Sequence, residues 1–167
     1  MLSTKISGSH LTFCAVCVAA LLTVGCGPRP AGSAAPAQLS EESFKEFGDF
    51  ELHYNAVRTD HLSAEVARSY GIQRSKNRVI LNVTMLHKEA DHAPRKPVEG
   101  VVAVDAYNLN GQLKSMEIRR VNEGDAIYYI GEVAISGNEI LVFDIKATPS
   151  KENTALSAKF KREFFTD

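Results

Sequence analysis

From Asn77 onward the chain keeps a period of two, and that period leaves few folds open. Val79, Leu81, Val83 and Met85 recur at every second position, as do Ile127, Tyr129, Gly131, Val133 and Ile135, then Leu141, Phe143, Ile145 and Ala147. Successive side chains of a strand point to opposite sides of a sheet, so this spacing gives each strand one face to bury. The same alternation runs through residues 50–56, and Leu156, Ala158 and Phe160 face inward in a last strand with Lys159 and Lys161 outward. Residues 98–107 are β-branched and apolar, and residues 112–121 read as their return strand. Between them Asn110-Gly111 predicts a two-residue hairpin, a turn in which both central residues need positive φ. Glu123-Gly124-Asp125 and Ser136-Gly137-Asn138 mark two further turns. Only residues 61–70 change period. Leu62, Val66 and Tyr70 lie four apart, Ser63 is placed to cap and Gly71 to stop, which predicts a helix of about two turns. About seven short strands with one short helix predict an all-β fold, an immunoglobulin-like β-sandwich.

This core has no covalent support. The three cysteines, Cys14, Cys17 and Cys26, all fall in the first 26 residues. Residues 1–10 are polar and carry Lys5, residues 11–24 are almost wholly apolar, and Gly25 is small, which is the three-part layout of a secretory signal over 1–25. The apolar run is shorter than the roughly 20 residues of a spanning helix. It ends at Gly27, Pro28 and Pro30, so the signal reading stands ahead of a membrane anchor. Leu22-Thr23-Val24-Gly25-Cys26 resembles the lipobox of bacterial lipoproteins, with Leu one place further from the cysteine than is usual. That resemblance implies a lipid on Cys26, and Gly27 in place of Asp implies the outer membrane. An ordinary signal, cut between Gly25 and Ala35 to leave a soluble periplasmic protein, is the alternative. Residues 26–43 are rich in Pro, Gly, Ser and Ala and read as a flexible tether to a domain over 44–167. Cys14 and Cys17 lie inside the leader and read as small apolar residues rather than a redox pair.

Charge narrows the partners. The chain has 19 Lys+Arg and 20 Asp+Glu. Removing 1–25 takes away Lys5 alone, leaving 18 − 20 = −2. Such a balance gives no electrostatic footprint for nucleic acid and no polybasic patch for an anionic membrane. The expected membrane contact is therefore the N-terminal lipid. No G-x-S-x-G, H-E-x-x-H, P-loop or dinucleotide fingerprint is present, so no catalytic residue and no cofactor is predicted.

The most unusual local feature is the 73–78 segment. Gln73, Arg74, Ser75, Lys76, Asn77 and Arg78 place three cations and three hydrogen-bonding side chains between a helix stop and a strand. Arginine offers a planar fork to carboxylate or phosphate and lysine a point charge. A loop on a rigid sandwich is where binding residues commonly sit, though a solvated turn capping the helix has the same composition. Gln73, Arg74, Lys76, Asn77 and Arg78 are the partner-binding candidates. His53 and Asn55 join them, sharing one strand face with Tyr54 on the other, where local hydrogen bonding is the competing role. His87, Glu89, Asp91 and His92 have metal-ligand chemistry but no recognised spacing, and they run into Pro94 and Pro97. No metal site is predicted. Tyr128-Tyr129 puts one phenol on each side of a sheet.

Four segments resemble the bacterial domain-of-unknown-function family 4426, made of short exported proteins. They are His53 to Ala56, Tyr70 to Arg78, Glu123 to Tyr129, and the closing Phe164-Phe165-Thr166-Asp167. The resemblance covers residues 44–167 and implies an immunoglobulin-like sandwich in the periplasm. It implies no activity and no site residues. The expected function is a non-enzymatic, lipid-anchored binding module whose partner is an envelope protein or component. The alternative is a carrier or sensor of a small anion or metal.

Overall fold

The computed structural model describes residues 43–166. The leader, Cys26 and all but the last residue of the tether lie outside the described residues. The strands are β1 (Phe44–Phe47), β2 (Phe50–Arg58), β3 (Arg78–His87), β4 (Lys96–Pro97) and β5 (Gly100–Asn108). They continue as β6 (Leu113–Lys114), β7 (Ile118–Glu123), β8 (Ala126–Ala134), β9 (Glu139–Pro149) and β10 (Leu156–Phe164). One sheet has the order β1-β2-β3-β8-β7 with β4 beside β3, and the other the order β10-β9-β5-β6. Every pairing is antiparallel. The two sheets and one short helix, α1 (Ala64–Ser69), make the immunoglobulin-like sandwich that the alternation predicts.

The inner faces follow the period-two reading residue by residue. Leu52, Leu81, Val83 and Met85 from the first sheet meet Leu141, Phe143 and Ile145 from the second, all at 0% exposure. Phe160 stacks between Tyr54 (4.8 Å) and Phe143 (5.0 Å), tying three strands into one aromatic layer. Full burial of each large side chain contributes about 1.5–3 kcal/mol, and this is what holds a domain without disulfides together. At one end of the sandwich the Tyr129 hydroxyl donates to Gly100 O (2.9 Å) and accepts from Gly100 N (2.7 Å), pinning one sheet to the other.

Two expectations need correction. The return strand over 112–121 is split between the sheets. Leu113 and Lys114 pair with Tyr107 and Ala106, whereas Ile118 to Val121 pair with β8 in the opposite sheet. The crossing runs over Gly131, where a Cβ would come within 2.6 Å of Ile118 Cδ1 and 2.9 Å of Met116 Cγ. The split, with the short β1 and β4, takes the strands to ten among the described residues. The Asn110-Gly111 turn also differs. Gly111 N donates to Asn108 O (2.9 Å) and Asn108 N to Gln112 O (3.1 Å), and of the two turn residues only Gly111 has positive φ, 78°. This is a three-residue connection with a glycine bulge. Asn108 Oδ1 accepts from the backbone N–H of both Asn110 and Gln112 at 3.0 Å, so a side chain supplies the closure that a second left-handed residue would have given.

Candidate functional site

The first sheet is covered on both sides. Its outer face carries apolar residues at outward positions: Val57 on β2, Ile80 on β3, Ile130 on β8 and Val121 on β7. Between β2 and β3 the chain leaves the sheet and crosses this face. It makes a 3-10 turn at Thr59–His61, then α1, and returns at Arg78. Ser63 caps the helix by accepting from Val66 N at 3.1 Å, as its sequence position predicts. Leu62, Ala67 and Ile72 turn down onto Ile80, Ile130 and Tyr128. Tyr128 therefore lies beneath the helix segment, while Tyr129 points into the core at 4% exposure.

Thr59 fastens this excursion. Its side chain is fully buried. The hydroxyl donates to Gln73 O (2.9 Å), with Ser75 O at 3.1 Å as a second acceptor, and accepts from Ser75 N (2.9 Å). At the far side Tyr70 donates to the Glu123 carboxylate, and Arg119 donates to Tyr70 O. The bond to Glu123, followed by burial and the carboxylate's charge, pushes the Tyr70 phenol up to about 12. Between α1 and the sheet these ties leave a cleft of about 250 Å³. No charged residue lines it. Asn55 and Asn82, cross-strand partners in register, stand at one side of the cleft. Both also line a shallower polar depression with His53 and Thr84.

The candidate residues distribute around this excursion. Asn55 lines the cleft, and its Oδ1 accepts from Arg162 Nη1 at 2.6 Å, which also donates to Ala56 O. His53 is on the same face, as expected, with Tyr54 buried on the other. Its Nε2 lies 2.8 Å from the nearly buried Glu51, whose other oxygen meets Arg95 at 2.6 Å, and its ring stacks on Phe44. In the 73–78 segment the backbone of Gln73 and Ser75 is held by Thr59, and Asn77 O accepts from Ile135 N at 3.0 Å. Arg74 donates to Asp60 O (2.7 Å) on the β2 side of β3, and Arg78 pairs with Glu132 (3.3 Å) on the β8 side. The two guanidiniums therefore diverge. Lys76, between them, is exposed and makes no ion pair among the described residues.

The His87 ring lies against Phe50 at 4.5 Å. Lys96 bonds Glu89 and Lys88 bonds Asp91, both at 2.6 Å, which holds each carboxyl below its ordinary range. Among the described residues no three His, Cys, Asp or Glu side chains come together to hold a metal ion. No serine or threonine hydroxyl there is bonded to a histidine, and no helix is long and apolar enough to cross a membrane.

The cleft is the feature that sequence reading missed. Its signal is the apolar side chain at an outward position, Val57, Ile80 and Ile130, which a half-solvated strand would not carry.

The family model described as "Domain of unknown function (DUF4426)" matches residues 44–167. The crystal structure of a DUF4426 family protein from Pseudomonas aeruginosa PAO1 is 37% identical, with a TM-score of 0.62 over 74% of this chain and 94% of that one. A copper-bound variant of FetP from uropathogenic Escherichia coli strain F11 shares the fold at 10% identity, with a TM-score of 0.52 over 72% of this chain and 93% of that one. Comparison with curated proteins gives no match.

Proposed function

The chain belongs to the DUF4426 family, and on that premise we propose that it is an exported, lipid-anchored binding module of the periplasm that presents the 73–78 loop to an envelope protein. The leader and its cysteine support the export and the anchor. One observation carries the binding reading: a buried threonine fixes the backbone of a loop whose Lys76 and Asn77 side chains face solvent. A loop held rigid before contact loses little conformational freedom on binding. The partner would meet Lys76 first, with Gln73, Arg74, Asn77 and Arg78 around it. His53 and Asn55, on the outer face of the sheet, would extend the contact.

The test is site-specific photo-crosslinking in the native host from Lys76 and from Asn77. The control belongs at the opposite end of the sandwich, at Glu152. Asn110 would be a poor control, because strand directions place its turn at the same end as 73–78. A discrete adduct from the first two positions and none from the third is the expected result. Silence at all three, with the protein folded and exported, would move the reading to a carrier or sensor of a small anion or metal, examined by titration with phosphate and with Cu²⁺. The anchor is checked separately. Cys26→Ser should abolish incorporation of labelled fatty acid and release the protein from the membrane fraction. Retention there would remove the lipid from the proposal.

A further inference from the structure

Along most of β5 one side is left without a strand. Just before β5, Glu99 O accepts from Ser150 N (2.8 Å), so the odd-numbered residues turn their backbone groups to β9. The even-numbered residues turn theirs the other way. Asn108 N donates to Gln112 O across the hairpin, and Gly100 N and O are both taken by the Tyr129 hydroxyl. Between these ends β6 pairs with Ala106 and Tyr107 only. The N–H and C=O of Val102 and Val104 therefore face outward with no strand beside them among the described residues. Open edges invite pairing, and natural sheets blunt them with charge or brevity. The other edges follow that rule. β1 has four residues, two of them Lys45 and Glu46, while β7 carries Arg119 and Arg120, and β10 carries Lys159, Lys161 and Arg162. From Gly100 to Val104 there is no charge. The three most exposed large apolar side chains among the described residues are Leu113 (73%), Val101 (71%) and Leu109 (64%), all on this edge or on the hairpin that bounds it. Val102 and Val104 turn inward and are only partly buried, at the rim of the core.

We propose that this edge takes an added strand from a partner protein, an extended segment with apolar residues at alternate positions, hydrogen-bonded to Val102 and Val104. The open backbone groups call for an extended chain, because a strand presents donors and acceptors at the matching spacing. The half-covered valines call for apolar side chains on its inward face, which would complete their burial. The slot spans residues 101–105, since Lys114 holds the place opposite Ala106 and Tyr129 holds Gly100. A second copy of β5 does not fit it. In the register that satisfies both valines, Val102 of one copy pairs with Val104 of the other, and Gly100 then falls opposite Ala106, where Lys114 already sits. The surface belongs to the second sheet, apart from the 73–78 loop that leads into β3 of the first, and does not depend on it.

The experiment is amide hydrogen exchange by NMR on the full-length protein, alone and with the capped peptide KVTVTVK. In the free protein the amides of Val102 and Val104 should exchange fast, while those of Val101 and Ala103, turned to β9, stay protected. Millimolar peptide should slow exchange at Val102 and Val104 and leave the other two as they were. N-methylation of the peptide's valines removes the donors aimed at β5 and should weaken binding about tenfold or more, whereas N-methylation of its threonines should not. Val102→Pro removes a donor at an edge position that tolerates proline, and should abolish the effect at Val104 with the fold intact. Amides of Val102 and Val104 that are already protected in the free protein, or that do not respond to the peptide, would overturn the proposal, as would equal binding of the two methylated peptides. A dimer in sedimentation that Val102→Pro dissociates would give the edge to a second copy and overturn the assignment to a partner's strand.

Discussion

The two faces of the first sheet are built from the same strands and behave as different materials. The inner face meets a second sheet and is dry, with Leu52, Leu81, Val83 and Met85 at 0% exposure. The outer face meets a six-residue helix and its flanking loops, and Val66 on that helix is 40% exposed. A sheet offers a continuous surface to another sheet. A short helix offers one stripe and leaves space on both flanks. The inner face therefore supplies stability, and the outer face supplies a cleft whose covering is held by a few polar ties.

That contrast can be broken most severely from inside. Phe143→Ala should lower unfolding free energy by about 3–5 kcal/mol in urea denaturation, because the aromatic layer around Phe160 cannot collapse into the gap. A loss below about 1 kcal/mol would mean that the inner face is looser than described. The next effect lies on the outer face. Thr59→Val keeps the shape but strands Ser75 N–H and the Gln73 and Ser75 carbonyls, and should cost about 1–3 kcal/mol. Hydrogen exchange at Ser75 should speed up while protection at Leu81 and Ile145 falls only with global stability. Thr59→Ser should restore most of the protection.

A third prediction reads the helix ties through pH. The Tyr70 value is raised in the fold, to about 12. Its contribution is therefore fully present below the ordinary phenol value near 10 and is lost as pH rises through about 12. A ring-labelled tyrosine NMR titration should show this late midpoint, and Glu123→Gln should bring it back towards 10. An unchanged midpoint in that variant would remove Glu123 as the cause. The smallest effect belongs to Arg78→Ala. Its pair with Glu132 is solvent-accessible and should contribute at most about 1 kcal/mol, so thermal melting should barely move.

The inner face could be read from the chain because alternation is a local property. Val79 and Val83 declare their direction without knowledge of their neighbours. The helix was legible through Ser63, but not the stripe it buries: Leu62 and Tyr70 fall outside α1, Val66 is 40% exposed, and Ala67 is the residue that turns inward. The crossing of 112–121 was not, since both halves have strand composition and only the space above Gly131 decides where the chain changes sheet. The cleft was hidden in a like manner. Ile80 sits between Val79 and Leu81 and reads as one more apolar residue of a buried strand, whereas its meaning lies in Ile130 and Ile72, some 50 and 8 residues away, as their positions in the chain give. In the 73–78 segment the sequence marked the residue types but not where the charges go. Arg74 turns to a carbonyl across the excursion and Arg78 to β8, and those partners are set by the fold.

The order of strands also governs when the molecule can exist. β2 with β3, β7 with β8, and β9 with β10 are neighbours along the chain, but β8 joins β3 from some 50 residues away and β9 joins β5 from about 40. Loops of that length close slowly, which places such topologies among the millisecond-to-second folders. Until Glu139 and the residues after it have been made, the chain holds hairpins but no second sheet to receive them. A nascent chain of this kind is without its sandwich through most of its synthesis. On the export proposed above, that delay would keep the chain threadable until it had crossed.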